Sequence, residues 1–316
     1  MRNCLAYVRT GFGAEGVPAG IELELKMNVE CVCNNICLLG EGPVWDVSRQ
    51  RLYWTDILRR QLWEYCPADD VAQLYWHGDM MVGGLALARD GKMVLCSDRG
   101  VFRQSDDGSL TKLFDIPFRA GEKFNDITTD PAGRIFAGTL KDDLKDGVLY
   151  RLEKGKEITP VLTGIGISNG MTFSMDEKTF FHTDSKAMTI TRYDYDRRSG
   201  AISSADLFFQ SNEIMGLPDG MTIDTEDNLW VAFWGGSCIR QINPHGKIIR
   251  EVELPAKQVS SVMFGGGDLR DIYITSACED GADLERGLDA KGVFLGGSTY
   301  RYRSNATGRP EWPADL

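Results

Sequence analysis

Short apolar runs recur along the chain at near-even intervals, each introduced by a polar turn. The clearest series is Arg51–Trp54 (RLYW), Lys92–Leu95 (KMVL), Arg134–Ala137 (RIFA), Lys178–Phe181 (KTFF), Asn228–Val231 (NLWV) and Asp271–Ile274 (DIYI), spaced 41 to 50 residues apart. The turns before them read DVSRQR, ARDGK, DPAGR, SMDEK and DTEDN, rich in residues that favour or tolerate tight turns. Another apolar run precedes the turn, as in Gly83–Ala88 and Gly220–Asp224. A third, alternating run follows at Gln61–Tyr65, Val148–Leu152, Ile190–Tyr195 and Cys238–Ile242, and then a fourth, as in Gly246–Leu254. Four short strands per period of about 40–45 residues is the pattern of a propeller blade. The pattern predicts an all-β chain, a six-bladed β-propeller with four-stranded antiparallel blades. Helical periodicity is nearly absent. A two-sheet sandwich explains the even period less well.

Residues 1–23 lie outside the repeat and read as a poorly ordered extension, with 24–316 as a single domain. The alternating segment Glu24–Cys33 is expected to close the ring against Thr299–Arg303, which would remove two exposed sheet edges.

Composition narrows the partners. The formal net charge is −11, which repels a phosphate backbone and excludes nucleic acid as an expected partner. No run of eighteen apolar residues spans a membrane, no basic amphipathic stretch suits a membrane surface, and the first twenty residues lack a signal-peptide core. Among the 8 cysteines, Cys31, Cys33 and Cys37 are close in sequence but lack a second CxxC pair. Reduced, semi-buried thiols in a cytoplasmic protein are the expectation.

The repeat also carries candidate chemistry. In a propeller the innermost strand of each blade lines a central channel. Ten residues before Arg51 stands Glu41; nine before each later repeat stand Gly83, Asn125, Asn169, Asp219 and Val262. Four of these six bear side-chain oxygens. Any one alone reads as a turn or solvated loop residue. Their shared phase places two carboxylates and two amides together on one axis, where without a cation they would repel or desolvate one another. Hard oxygen ligands and two negative charges predict one divalent metal cation, with Ca, Zn, Mn, Mg and Fe all open.

Gly40–Trp45 (GEGPVW), Phe124–Ile127 (FNDI) with Asp130–Thr139 (DPAGRIFAGT), Ile167–Met171 (ISNGM), Leu217–Met221 (LPDGM) and Ser261–Gly266 (SVMFGG) resemble, in order, the SMP-30/gluconolactonase/regucalcin family. The resemblance runs from about residue 28 to about residue 300. It implies a six-bladed propeller holding one divalent cation, and a hydrolase that opens a sugar lactone, a small-molecule substrate, to the sugar acid. It implies Glu41, Asn169 and Asp219 as metal ligands, Asn125 beside them as a substrate contact that reaches the metal directly or through water or substrate, and Asp219 as catalytic base. Where many relatives carry Arg, this chain has Lys123, a point charge without the guanidinium fork. Asp142 or Asp143 stands where some relatives place a sugar-binding carboxylate, and Lys123 and Asp143 are taken as substrate contacts. A metal-dependent phosphotriesterase or arylesterase, and a non-catalytic calcium-binding propeller, are the competing readings. Only three histidines occur. His182 reads as a hydrogen-bonded core residue, and no Gly-x-Ser-x-Gly elbow supports a serine nucleophile. A monomer or small homo-oligomer is expected.

Overall fold

A computed structural model describes residues 22–24, 29–279, 282–283, 287–288, 292–293 and 296–316. The expected extension 1–23 therefore lies almost wholly outside the described residues; of it only part of a short strand, Glu22–Glu24, is seen. Among the described residues the chain is all β, with no helix.

Strand β1 is Glu22–Glu24 and β2 is Val29–Cys33. Four-strand meanders follow: β3–β6 (Gly40–Asp46, Arg51–Asp56, Gln61–Cys66, Val71–His77), β7–β10 (Val82–Leu87, Met93–Ser97, Gly100–Gln104, Leu110–Phe114) and β11–β14 (Glu122–Thr129, Ile135–Lys141, Gly147–Leu152, Thr159–Ile165). Next come β15–β18 (Ser168–Phe173, Thr179–Asp184, Thr189–Asp196, Ala201–Gln210), β19–β22 (Leu217–Ile223, Leu229–Trp234, Cys238–Ile242, Ile248–Glu253) and finally β23–β25 (Gln258–Gly265, Asp271–Ala277, Thr299–Arg303). The first four meanders are separate four-stranded antiparallel sheets. The last two share one sheet through a single Trp234–Gln258 pairing, and β1 adds to β22 in parallel.

Among the described residues the last meander has only three strands of its own. Its fourth is β2, which pairs antiparallel with β25, Val29 opposite Tyr302 and Cys31 opposite Tyr300. The N-terminal strand thus completes the C-terminal sheet, as the alternation of Glu24–Cys33 anticipates.

The burial gradient explains the strand sequences. First strands such as β7 (VGGLAL) and second strands such as β8 (MVLCS) are buried on both faces and read as continuous apolar runs. The outermost β18 (AISSADLFFQ) is mostly exposed. Each core cluster lies between two successive meanders. Leu62 and Tyr53 pack with Val82 and Leu95, Phe136 and Leu149 with Phe173 and Phe180, and Trp54 and Leu52 with Tyr273 and Met263. That last cluster joins the first meander to the last. The first strands touch in the same cycle: β3 meets β7, β7 meets β11, and so on to β23, which meets β3.

Residues 308–316 cross the far ends of the first strands. Gly308 bridges to Asp224, Ala314 N donates to Leu87 O at 2.8 Å, and Asp315 N donates to Gly133 O at 2.8 Å. Arg309 stacks its guanidinium 3.5 Å above the Trp312 ring, and Trp312 meets Phe173 edge-on at 5.9 Å.

Candidate functional site

Each of the six first strands breaks its ladder at the same height. The register slips between Glu41 and Val44, Val82 and Gly84, Phe124 and Asp126, Asn169 and Met171, Pro218 and Met221, and Val259 and Ser261. A bulge leaves a residue unpaired and re-aims its side chain. Here the bulges fall on or beside Glu41, Gly83, Asn125, Asn169 and Asp219, so the phase read from the sequence is the phase of the bulges. The last position is corrected: the bulge lies at Ser260, whereas Val262 pairs with Ile274 and is buried in the core. Asp271 is already the first residue of its strand, whereas Lys92, Arg134, Lys178 and Asn228 stand one before theirs, so the matching position is Ser261, which pairs with Thr275 directly after the slip.

Glycines let the bulges crowd. A Cβ on Gly170 would lie 2.3 Å from the Asp219 carbonyl oxygen, one on Gly83 2.3 Å from the Phe124 carbonyl oxygen, and one on Gly220 2.1 Å from Ser261 Oγ. The pairs Asn169–Gly170 and Asp219–Gly220 thus join an oxygen ligand to a residue small enough for the next strand to approach.

The structure brings the four oxygen-bearing residues together. Asn125 Nδ2 donates to Asn169 Oδ1 at 2.6 Å and to Ser168 O at 2.9 Å. Asn169 Nδ2 donates to Ser185 Oγ at 2.9 Å, and Ser185 Oγ donates to Pro218 O at 2.6 Å, the carbonyl just before Asp219. Glu41 (6% exposed), Asn169 (5%) and Asp219 (4%) are all buried. Burial pushes the Glu41 carboxyl well above its usual range, and the charges of Asp219 and Asp126 push it further. Asp219 is raised by burial and then by Asp126. Its Oδ1 is fully buried and accepts no hydrogen bond. An orphaned carboxylate oxygen beside a second buried carboxylate and an amide oxygen is a donor set that fits a hard divalent cation. Among the described residues no three of His, Cys, Asp and Glu form a ligand cluster by themselves. The candidate set is mixed carboxylate and amide.

The proposed substrate residues sit at the rim. Lys123 Nζ is 3.4 Å from Asp142 Oδ1. Asp143 is more than half exposed and pairs with Lys141 Nζ at 3.3 Å. His182 is buried; its Nε2 lies 2.8 Å from Ser168 Oγ, and burial lowers its pKa to about 4, as befits a neutral core residue.

Asp126 is a third carboxylate, and sequence phase missed it because it stands one residue past the bulge. It is buried and raised to about 7, chiefly by burial, with the Ile127 N–H opposing and Glu311 adding to the rise. A cavity of about 310 Å³ opens beside it, lined by Gly42, Gly84, Met171, Met221 and Ser261 and bounded by Pro310–Pro313. The hydroxyls of Ser185 and Ser260 carry no motif that sequence could flag. Cys33, Cys37, Cys66, Cys96 and Cys238 are buried and outside any disulfide, and among the described residues no helix is long and apolar enough to cross a membrane.

Comparison with known proteins follows the same residues. The family model described as SMP-30/Gluconolactonase/LRE-like region matches residues 39–278, a span containing Glu41, Asn125, Asn169 and Asp219. Pentonolactonase XacC of Haloferax volcanii is 38% identical over 293 residues, covering 92% of this chain and 99% of that protein. Regucalcin of Gallus gallus is 34% identical, covering 85% and 94%. The crystal structure of a calcium-binding protein, regucalcin, from Agrobacterium tumefaciens superposes with a TM-score of 0.84 at 28% identity, covering 93% and 99%.

Proposed function

The chain belongs to the SMP-30/gluconolactonase/LRE-like family, and from that premise we propose that it is a divalent-metal-dependent sugar lactonase built on a six-bladed propeller. The closed cycle of first strands and inter-meander cores supports six blades. The observation that carries the chemistry is the orphaned, buried Asp219 Oδ1 beside Glu41 and Asn169.

Glu41, Asn169 and Asp219 would hold the cation. When bound, a divalent ion at such a site polarises a carbonyl oxygen and makes water more acidic. The chain's own groups then do the rest. Water adds to the lactone carbonyl carbon and gives its proton to Asp219. Collapse breaks the bond from the carbonyl carbon to the ring oxygen, which recovers that proton and becomes the free hydroxyl of the sugar acid. Both N–H groups of Asn125 are already committed to Ser168 O and Asn169 Oδ1, so Asn125 offers its carbonyl oxygen to a substrate hydroxyl. Lys123, held by Asp142, and Asp143 reach the sugar from the rim. The buried thiols of Cys33, Cys37, Cys66, Cys96 and Cys238 favour a reducing compartment, the cytoplasm.

The test is proton release by metal-stripped protein from a panel of aldonolactones, with each divalent cation added back. Cation-dependent acid release from one lactone is expected. Tight cation binding with no release from any lactone would overturn the lactonase reading in favour of an arylesterase, a phosphotriesterase or a non-catalytic calcium-binding protein.

A further inference from the structure

Hydrogen bonds between blades converge on one kind of atom. At four of the six bulges the carbonyl just before it is caught by a side chain of the preceding blade. Ser260 Oγ donates to Gly40 O at 2.5 Å, Thr55 Oγ1 to Val82 O at 2.9 Å, Asn125 Nδ2 to Ser168 O at 2.9 Å and Ser185 Oγ to Pro218 O at 2.6 Å. Three of those carbonyls precede Glu41, Asn169 and Asp219. One of the donors does more than tie two blades together. Ser185, 3% exposed, also accepts from Asn169 Nδ2 at 2.9 Å.

We propose that Ser185 is the positioning residue of the cation site, setting two of its ligands at once. An amide can present oxygen or nitrogen to a cation, and only the oxygen is a ligand. By accepting from Nδ2, the Ser185 oxygen fixes which end of Asn169 faces the axis. By donating to Pro218 O, the same hydroxyl fixes the peptide that aims Asp219. A hydroxyl is both acceptor and donor, so it suits a place between an amide N–H and a carbonyl. Outer partners of this kind orient ligands and tune affinity. Ser185 sits just after strand β16 (Thr179–Asp184), on a turn whose Asp184 carboxylate accepts from the N–H groups of Lys186 and Ala187 at 3.1 and 3.2 Å. The turn is therefore held without help from the site.

This assignment rests on the reading of Glu41, Asn169 and Asp219 as cation ligands. Its test is calcium affinity, by calorimetry on the metal-stripped full chain, and does not depend on turnover. Ser185→Ala is compared with Ser97→Ala, an equally buried hydroxyl in the matching region of the second blade that bonds only within its own turn, to Gly100 O and Arg99 N. Ser185→Ala is expected to bind calcium about 10- to 100-fold more weakly, and Ser97→Ala within about threefold of the native chain. Should Ser185→Ala not fold, Ser185→Cys, a weak donor and acceptor, is expected to fall between native and that loss. Native-like affinity in the Ser185 variants, or an equal loss in Ser97→Ala, overturns the assignment alone. A native chain that binds no divalent cation overturns the ligand reading and this assignment with it.

Discussion

Asn125 Nδ2 donates to Asn169 Oδ1 at 2.6 Å, across the seam between the third and fourth blades. A carbonyl oxygen has two lone pairs, so Asn169 can keep this bond and still present oxygen to a cation. The two amides therefore have separable roles. Asn125→Ala takes the donor away from Ser168 O and Asn169 Oδ1 and is expected to lower calcium affinity, though by less than Ser185→Ala, because Asn169 Nδ2 stays anchored on Ser185 Oγ. It removes one buried hydrogen bond to a substrate hydroxyl, worth about 1–3 kcal/mol, so kcat/KM for the lactone is expected to fall roughly tenfold or more. Calorimetry and steady-state kinetics on one preparation check this. A loss of calcium affinity larger than that of Ser185→Ala would make Asn125 a ligand instead.

Close packing at the bulges gives a second expectation. The Cβ of Gly170→Ala would lie 2.3 Å from Asp219 O and 2.8 Å from Met221 N. Both are backbone atoms, and neither can swing aside. Overpacking of this kind costs about 1–3 kcal/mol, and here the displaced peptide carries a ligand. Gly170→Ala is expected to lower both thermal stability and calcium affinity. Gly267→Ala, whose nearest neighbour would be Gln50 Oε1 at 3.6 Å, is expected to change stability by less than about 0.5 kcal/mol. Equal melting temperatures for the two variants would remove the close-approach argument.

What the sequence made legible was periodic. Glu41, Asn125, Asn169 and Asp219 share a phase because each sits at the same bulge, and a fixed distance from a strand start survives in sequence. Ring closure was legible from the alternation of Glu24–Cys33 and from the residues left over before the first blade; Val29–Cys33 is the part that pairs with the C-terminal strand. Asp126 was not legible, because it stands one residue past the bulge and its raised pKa owes part to the charge of Glu311, a residue far along the chain. Ser185 and Ser260 were hidden for a related reason: their partners, Pro218 O and Gly40 O, are backbone atoms, which leave no trace in residue identity. The sixth position was misplaced at Val262 instead of Ser261, the residue beside the bulge, by taking a strand's first residue for the turn residue before it.

The buried carboxylates predict an unusual pH dependence for the metal-stripped chain. Glu41, Asp126 and Asp219 are all raised in the folded protein, Asp126 to about 7, above the roughly 4 of unfolded carboxylates. Groups raised on folding contribute stability that is present below the unfolded value and is lost as pH rises through the folded value. The chelated protein is therefore expected to lose melting temperature from about pH 5 to pH 8. Saturating calcium should remove the decline, since it pairs with the charged forms and binds only the folded state. A chelated protein whose melting temperature rises across this range would contradict the raised values. Asp126→Asn should flatten part of the slope.

His182 acts in the opposite direction. Burial depresses its pKa from 6.5 to about 4. A group depressed on folding contributes stability that is present above the unfolded value and is lost as pH falls from there toward the folded value. Between pH 6.5 and 4 the unfolded chain takes up a proton on this ring that the folded chain refuses. His182→Phe cannot titrate, but it leaves Ser168 Oγ without its 2.8 Å partner, a loss of about 1–3 kcal/mol for a buried hydroxyl. The variant is expected to be less stable than native at pH 7, and the gap should narrow or reverse by pH 4.5. Urea unfolding of both proteins at the two pH values measures that gap directly, and carboxylate effects common to both chains cancel. A gap that widens toward pH 4.5 would mean that the folded protein holds His182 as the charged imidazolium, and the bond to Ser168 would then be donated by the ring.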